Sequence, residues 1–379
     1  MRKIEGCMRL MVIVSIVALM ALSEKGVYTQ GEVSSVNDLP NPYETIKDWG
    51  KMPGGRIFGN TSGVDIDPDG KSVWAVDRCG ADSCAGSNVT VVLKFDASGK
   101  LVKGFGAAML VYPHGIHVDR EGNVWVTDGR AATPEELKKF PGEKGKGHPV
   151  IKFSPDGKVL MTLGKPGMAG NPPDFFNEPA AVISAPNGDI FVADGHSGGE
   201  NTTPSNKVAR IVKFDRNGKF IKSWGKFGSG PGELKGPHAL AFDSRGRLFV
   251  ADRANFRVQI FDQEGEYLAE WKQFSRASGL YIRNDMVYTS DSGSDSLVNP
   301  GWKKGIRIGS ARDGKVMFFI PPHANNIREG GTAAGGVAVD AAGNVFGAET
   351  PSGGLTKYVK RLASEHRWSP ENWFASPVR

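Results

Sequence analysis

One unit recurs along most of this chain: an apolar run, a tight turn carrying Asp, Asn or Gly, and a second apolar run. It reads GVDIDPDGKSVWAVDR, GIHVDREGNVWVTDGR, AVISAPNGDIFVADGH, ALAFDSRGRLFVADRA, GLYIRNDMVYTSDSG and GVAVDAAGNVFGAET. The turn residues tolerate positive φ or close a local side-chain hydrogen bond, so each unit predicts strand, turn, strand. A second hairpin follows in most units, as in VVLKFDASGKLVKGFG, PVIKFSPDGKVLMTLG, RIVKFDRNGKFIKSWG, RVQIFDQEGEYLAEW and GIRIGSARDGKVMFFI. Six units of four strands, with a helix signal only around TPEELKKF, predict an all-β fold, the six-bladed β-propeller. A two-sheet sandwich has no reason to repeat a four-strand unit six times.

The sixth unit is one strand short, because only LTKYVKRL follows its first hairpin. The missing strand is found at the other end of the chain. YETIKDWGK at Tyr43–Lys51 echoes GKFIKSWGK at Gly218–Lys226, which puts Trp49 at the position of Trp224 and Trp271. An N-terminal strand is therefore expected to close the last blade and leave no long open edge. The propeller is expected over residues 43–362, with a leader segment at 24–42 and a C-terminal tail at 363–379.

Residues 1–23 read as an export signal: Arg2, Lys3 and Arg9 lead into LMVIVSIVALMAL, and Ala21-Leu22-Ser23 supplies the small residues of a cleavage site. That run is shorter than the ~20 residues of a spanning helix, and no later segment spans. The expectation is an exported, periplasmic or extracellular monomer. Its formal charge of +6 falls to +4 without the signal, and its basic residues are scattered, which argues against a nucleic-acid surface. Cys79 and Cys84 either close a short loop disulfide or stand as two thiols.

In an antiparallel hairpin the start of the first strand neighbours the end of the second. With first strands lining the channel, the residues eight before each turn glycine converge on one mouth: Ser62, His114, Ala180, His238 and Gly335, with Ser278 in the fifth unit. Pro-His recurs there at Pro113-His114 and Pro237-His238, two blades apart. Imidazole suits zinc and related divalent ions, so the pair is a candidate metal site. Second strands end in Asp77, Asp128, Asp194, Asp252, Asp291 and Glu349; so regular an acid reads first as a structural group satisfying loop N–H donors. Arg78, Arg253 and His196 follow three of these acids without that regularity and are candidate catalytic groups. His117 points the other way along its strand and reads as packing. The long insertions AATPEELKKFPGEKGKGH, SGGENTTPSNKVA and SGSDSLVNPGWKK all follow second strands, so they share a face, the usual place for function.

The segments YPHGIHVDREGNVWVTD, FVADGHS, KGPHALAFD and VADRANFRVQIF resemble the NHL-type propeller of the peptidyl-α-hydroxyglycine α-amidating lyases, over most of Gly63–Glu349. The resemblance implies a central zinc held by histidines, with arginines beside it and a tyrosine as base. It also implies a reaction that splits a peptidyl-α-hydroxyglycine into peptide amide and glyoxylate. By matching motif, His114 and His238 take two ligand places, Arg78 and Arg253 take those of the arginines, and the main-chain oxygen of Ile116 takes a place in a calcium site. The chain departs from the pattern at three positions: Gly335 stands for the third histidine, Gly336 for the calcium-binding aspartate and His196 for the tyrosine. Glu349 is expected to reach the vacated ligand quadrant.

The leading expectation is a metal-assisted lyase or hydrolase acting on a small-molecule or peptide substrate at the channel mouth. Zinc on His114 and His238 would polarise a substrate oxygen, Arg78 and Arg253 would hold a carboxylate, and His196 would move a proton. The alternative is a binding module that recognises a protein or polymer through the loop-rich face, favoured by the loss of ligands at Gly335 and Gly336. A lactonase-like hydrolase with carboxylate-bound calcium is a third reading, weakened by the scarcity of acids at the mouth-lining positions.

Overall fold

In the computed structural model, residues 33–197, 207–323, 334–350 and 353–361 are described. The signal at 1–23, most of the SGGENTTPSNKVA insertion and His366 lie outside them. The chain enters as β1 (Tyr43–Ile46). Blade one is β2 (Thr61–Ile66), β3 (Val73–Asp77), β4 (Val92–Phe95) and β5 (Leu101–Phe105). Blade two is β6 (Pro113–Val118), β7 (Val124–Asp128), β8 (Val150–Phe153) and β9 (Val159–Leu163), with α1 (Pro134–Lys139) between β7 and β8. Blade three is β10 (Pro179–Ser184), β11 (Ile190–Asp194), β12 (Arg210–Phe214) and β13 (Phe220–Trp224). Blade four is β14 (Pro237–Phe242), β15 (Leu248–Asp252), β16 (Arg257–Phe261) and β17 (Tyr267–Trp271). Blade five is β18 (Gly279–Arg283), β19 (Met286–Asp291), β20 (Gly305–Ser310) and β21 (Val316–Ile320). Blade six is β22 (Ala334–Val339), β23 (Val345–Glu349) and β24 (Leu355–Lys360), with β1 added at its outer edge.

Each blade is a four-stranded antiparallel sheet, in chain order in the first five and with β1 outside β24 in the sixth, and the innermost strands β2, β6, β10, β14, β18 and β22 contact their neighbours in a closed ring. The expected all-β, six-bladed propeller with its last blade closed by an N-terminal strand is the fold observed. β1 runs antiparallel to β24, from Tyr43 opposite Lys360 to Ile46 opposite Lys357. Trp49 then packs on Phe346 of blade six at 4.9 Å and reaches Phe95 of blade one at 6.4 Å. Trp224 does the same with Phe191 and Phe261, at 6.1 and 6.4 Å, so the closure copies an ordinary blade junction.

The core lies between blades. One apolar cluster fills each of the six junctions, as where Val118, Val124 and Phe153 of blade two meet Trp74, Val76 and Val92 of blade one. The second strands serve two junctions at once: Val73 and Ala75 face blade six while Trp74 and Val76 face blade two. Burial on both faces is why VWAVD, VWVTD, IFVAD and LFVAD are near-continuous apolar runs. Turn aspartates fix the hairpins; Asp119 accepts backbone N–H bonds from Glu121 and Asn123 at 3.1 and 2.8 Å. Cys79 and Cys84 form a disulfide, with Cα atoms 5.2 Å apart. No helix of the described residues is long and apolar enough to cross a membrane.

Candidate metal centre at the channel mouth

Both Pro-His dipeptides sit where an innermost strand breaks register with its partner. β6 pairs Pro113 with Asp128 and next Ile116 with Val126, and β14 pairs Pro237 with Asp252 and next Leu240 with Val250. Such a bulge re-aims the side chain it carries. Here it places His114 and His238 in the channel, with ring centroids 4.7 Å apart. The six mouth-lining positions Ser62, His114, Ala180, His238, Ser278 and Gly335 surround one chamber of about 70 Å³. Ile116 lies in the same chamber, below the imidazoles.

The two histidines are held alike. His114 Nδ1–H donates to the Ala180 carbonyl at 2.8 Å, and His238 Nδ1–H to the Ser278 carbonyl at 2.6 Å. Each acceptor belongs to the start of the next blade's innermost strand. A carbonyl can only accept, so the proton is on Nδ1 and the Nε2 lone pair is left free, the tautomer a metal ligand needs.

The third imidazole comes from the blade between them. His196 follows β11, and its ring centroid is 4.4 Å from that of His114 and 5.0 Å from that of His238. Gly195 makes this possible: its φ is +113°, and a Cβ there would lie 2.0 Å from the Val208 carbonyl oxygen. The His196 backbone N–H donates to the Glu178 carbonyl at 3.0 Å. One ligand atom from each of the three histidines lies within 4.8 Å of the other two, the only group of this kind among the described residues that could hold a metal ion.

Burial keeps these rings neutral. His114 is pushed down to about 3, first by burial and then by the Arg78 charge. His196 and His238 are also driven well below the ordinary imidazole value by burial, followed by the charges of neighbouring histidines and arginines. Three neutral imidazoles, two buried and the His196 ring half-buried, with ligand nitrogens this close together fit a borderline cation such as Zn²⁺.

Cationic and aromatic groups surround the centre. The Arg78 guanidinium lies 3.6 Å from the centroid of Tyr112, donates to the Pro113 carbonyl at 3.2 Å and pairs with Asp82 at 2.7 Å. Arg130 covers the same ring at 4.5 Å and is held by Glu136, which also closes the capping box of α1 with Thr133. Arg253 donates to the His196 carbonyl at 3.4 Å, and the Arg276 charge also acts on His196. Tyr112, directly ahead of the first Pro-His, is the aromatic signal in the sequence for this stack.

The strand-end acids tie loops down. Asp77, Asp128, Asp194 and Asp252 accept from the N–H groups of Gly59, Val111, Asn177 and Lys235 at 2.8, 3.0, 2.7 and 2.6 Å. Glu349 lies apart from the three histidines, buried beside Gly347 and Thr356 in blade six. His117 points to the opposite end of the channel, where its Nε2 is 2.9 Å from Ser184 Oγ.

Residues 234–261, the β14 to β16 segment with His238 and Arg253, match the NHL repeat model. The chain carries an NHL repeat. The chain is 33% identical over 193 residues to human NHL repeat-containing protein 3, covering 49% of each chain. It is also 31% identical over 241 residues to Drosophila melanogaster peptidyl-α-hydroxyglycine α-amidating lyase 1, covering 61% of this chain and 40% of the lyase. The matches thus span about half or less of these relatives. A gluconolactonase from Xanthomonas campestris aligns with a TM-score of 0.52 at 16% identity, over 80% of this chain and 86% of the other, which reflects the fold.

Proposed function

We propose that this protein is an exported metal-assisted lyase or hydrolase of the amidating-lyase type, with zinc held at the mouth by His114, His196 and His238. The observation that carries the reading is the convergence of three imidazoles, two of them buried and locked in the ligand tautomer by carbonyls of the adjacent blade. The similarity to a peptidyl-α-hydroxyglycine α-amidating lyase supports a peptide-derived substrate. A disulfide between Cys79 and Cys84 suits export into an oxidising compartment.

When bound, the ion would act as a Lewis acid on a hydroxyl or carbonyl oxygen of the substrate. The protein supplies the rest. His114 and His238 keep their lone pairs aimed because their other nitrogens are tied to the backbone. Arg78, clamped against Tyr112, and Arg253 form a cationic wall that binds a carboxylate by paired N–H bonds. The chamber is small and the His114 and His238 rings that line it are buried, so charges beside them are weakly screened.

The test is metal analysis of the purified protein together with glyoxylate release from a peptidyl-α-hydroxyglycine. Stoichiometric zinc and glyoxylate above the uncatalysed rate, both lost in a His114→Ala, His238→Ala variant, are the expected result. A wild-type protein that takes up no zinc refutes the metal reading; a zinc protein without glyoxylate release refutes the substrate.

A further inference from the structure

The end of the channel opposite the three histidines carries a second constellation. Between the two ends runs a waist of six apolar side chains, one per blade: Val64, Ile116, Val182, Leu240, Leu280 and Val337. Beyond it opens a cavity of about 490 Å³. Three polar groups on the innermost strands of consecutive blades meet in its wall: Asp65 on β2, His117 on β6 and Ser184 on β10. Asp65 Oδ2 lies 3.4 Å from His117 Nδ1, and His117 Nε2 lies 2.9 Å from Ser184 Oγ.

The order and polarity are those of a nucleophile, its base and the group that orients the base. Asp65 is itself fixed, accepting N–H bonds from Val118 and Ile66, both at 2.7 Å. A carboxylate facing Nδ1 selects the tautomer with the proton there, which leaves Nε2 to accept from the Ser184 hydroxyl. His117 and Ser184 also border a neighbouring cavity of about 380 Å³, so the pair is reached from two sides, and Arg120 lines both cavities.

We propose that Ser184, His117 and Asp65 form a second hydrolytic site, for short-chain carboxylic esters. Ser184 Oγ bonds to the ester carbonyl carbon as its proton passes to His117 Nε2. The carbon–oxygen bond to the alcohol then breaks, and the departing alkoxide takes that proton. Water, deprotonated by the same imidazole, attacks the acyl-serine, releases the carboxylic acid and restores the hydroxyl. Arg120 supplies the positive charge facing the carbonyl oxygen, and the waist receives the acyl chain. Nothing in this step draws on the metal centre.

The experiment treats the intact protein with a fluorophosphonate, maps the labelled peptide and follows p-nitrophenyl butyrate hydrolysis. One label per chain on Ser184 is expected, with hydrolysis reduced at least a hundredfold in Ser184→Ala and His117→Gln and about tenfold in Asp65→Asn. The His114→Ala, His238→Ala variant should keep this hydrolysis whatever happens to its metal. Melting temperatures and circular dichroism matching wild type show that the variants are folded. Absence of label, label on another residue, or hydrolysis that persists in folded Ser184→Ala overturns the proposal.

Discussion

The imidazoles of His114 and His238 meet edge to face at 4.7 Å although 124 residues separate them in the chain, and each is hydrogen-bonded to the blade that follows its own. His196 stands against both, whereas Glu349 is in another blade wall. His196→Ala should therefore weaken zinc binding by more than the roughly 10- to 100-fold that loss of an outer-shell partner brings, and Glu349→Gln should leave it unchanged. Competition with a chromogenic chelator measures both. Loss of zinc in the Glu349 variant with retention in the His196 variant would reverse the assignment.

Acid should remove the metal late. Protons compete with a cation for imidazole nitrogen only near and below the pKa of the metal-free site. Burial and the Arg78 charge push His114 down to about 3, so it stays neutral at pH 5, where an ordinary imidazole is charged, and burial moves His196 and His238 in the same direction. Bound zinc should therefore survive dialysis at pH 5 and be released only in stronger acid. Half-release near pH 6.5 would mean that the rings are not desolvated as the geometry implies.

Much of the architecture was legible because a propeller writes its period into the chain. The echo of Tyr43–Lys51 in Gly218–Lys226 marked the closing strand, and Pro-His in equal register marked two imidazoles on one mouth. The position of His196 was harder to read. Register counting follows strands, and His196 lies past the end of β11, where the positive φ of Gly195 sets its direction. The Arg78–Tyr112–Arg130 stack was hidden for a similar reason: Arg130 is held by a capping glutamate in an insertion that obeys no repeat. The Asp65–His117–Ser184 line joins three blades, so no single unit displays it.

Ring closure should depend on Trp49. It is buried and its ring bridges blades six and one through Phe346 and Phe95, while its backbone N–H donates to the Leu355 carbonyl at 2.9 Å. Truncating a buried tryptophan costs about 3–5 kcal/mol. Trp49→Ala should lower the unfolding free energy by that amount, seen as a lower urea midpoint with little change in slope, and Trp49→Phe should recover part of it. A Trp49→Ala protein as stable as wild type would show that β1 is an ornament on an already closed ring.

Glu349 gives stability an opposite pH dependence from that of a salt-bridged carboxylate. Its side chain is buried in blade six, and burial pushes it up to about 7, with the Thr356 hydroxyl acting the other way. Between the ordinary glutamate value near 4.5 and about 7 the native protein holds a proton that the unfolded chain releases. The group's contribution is therefore complete below pH 4.5 and is lost as pH rises through 7. Glutamine copies the neutral acid at every pH. Glu349→Gln should match wild type near pH 4.5 and exceed it by up to about 3 kcal/mol at pH 8, read from urea unfolding at the two pH values. A difference that does not grow with pH would mean that the native carboxyl is already ionised, and would place a cation or water beside it.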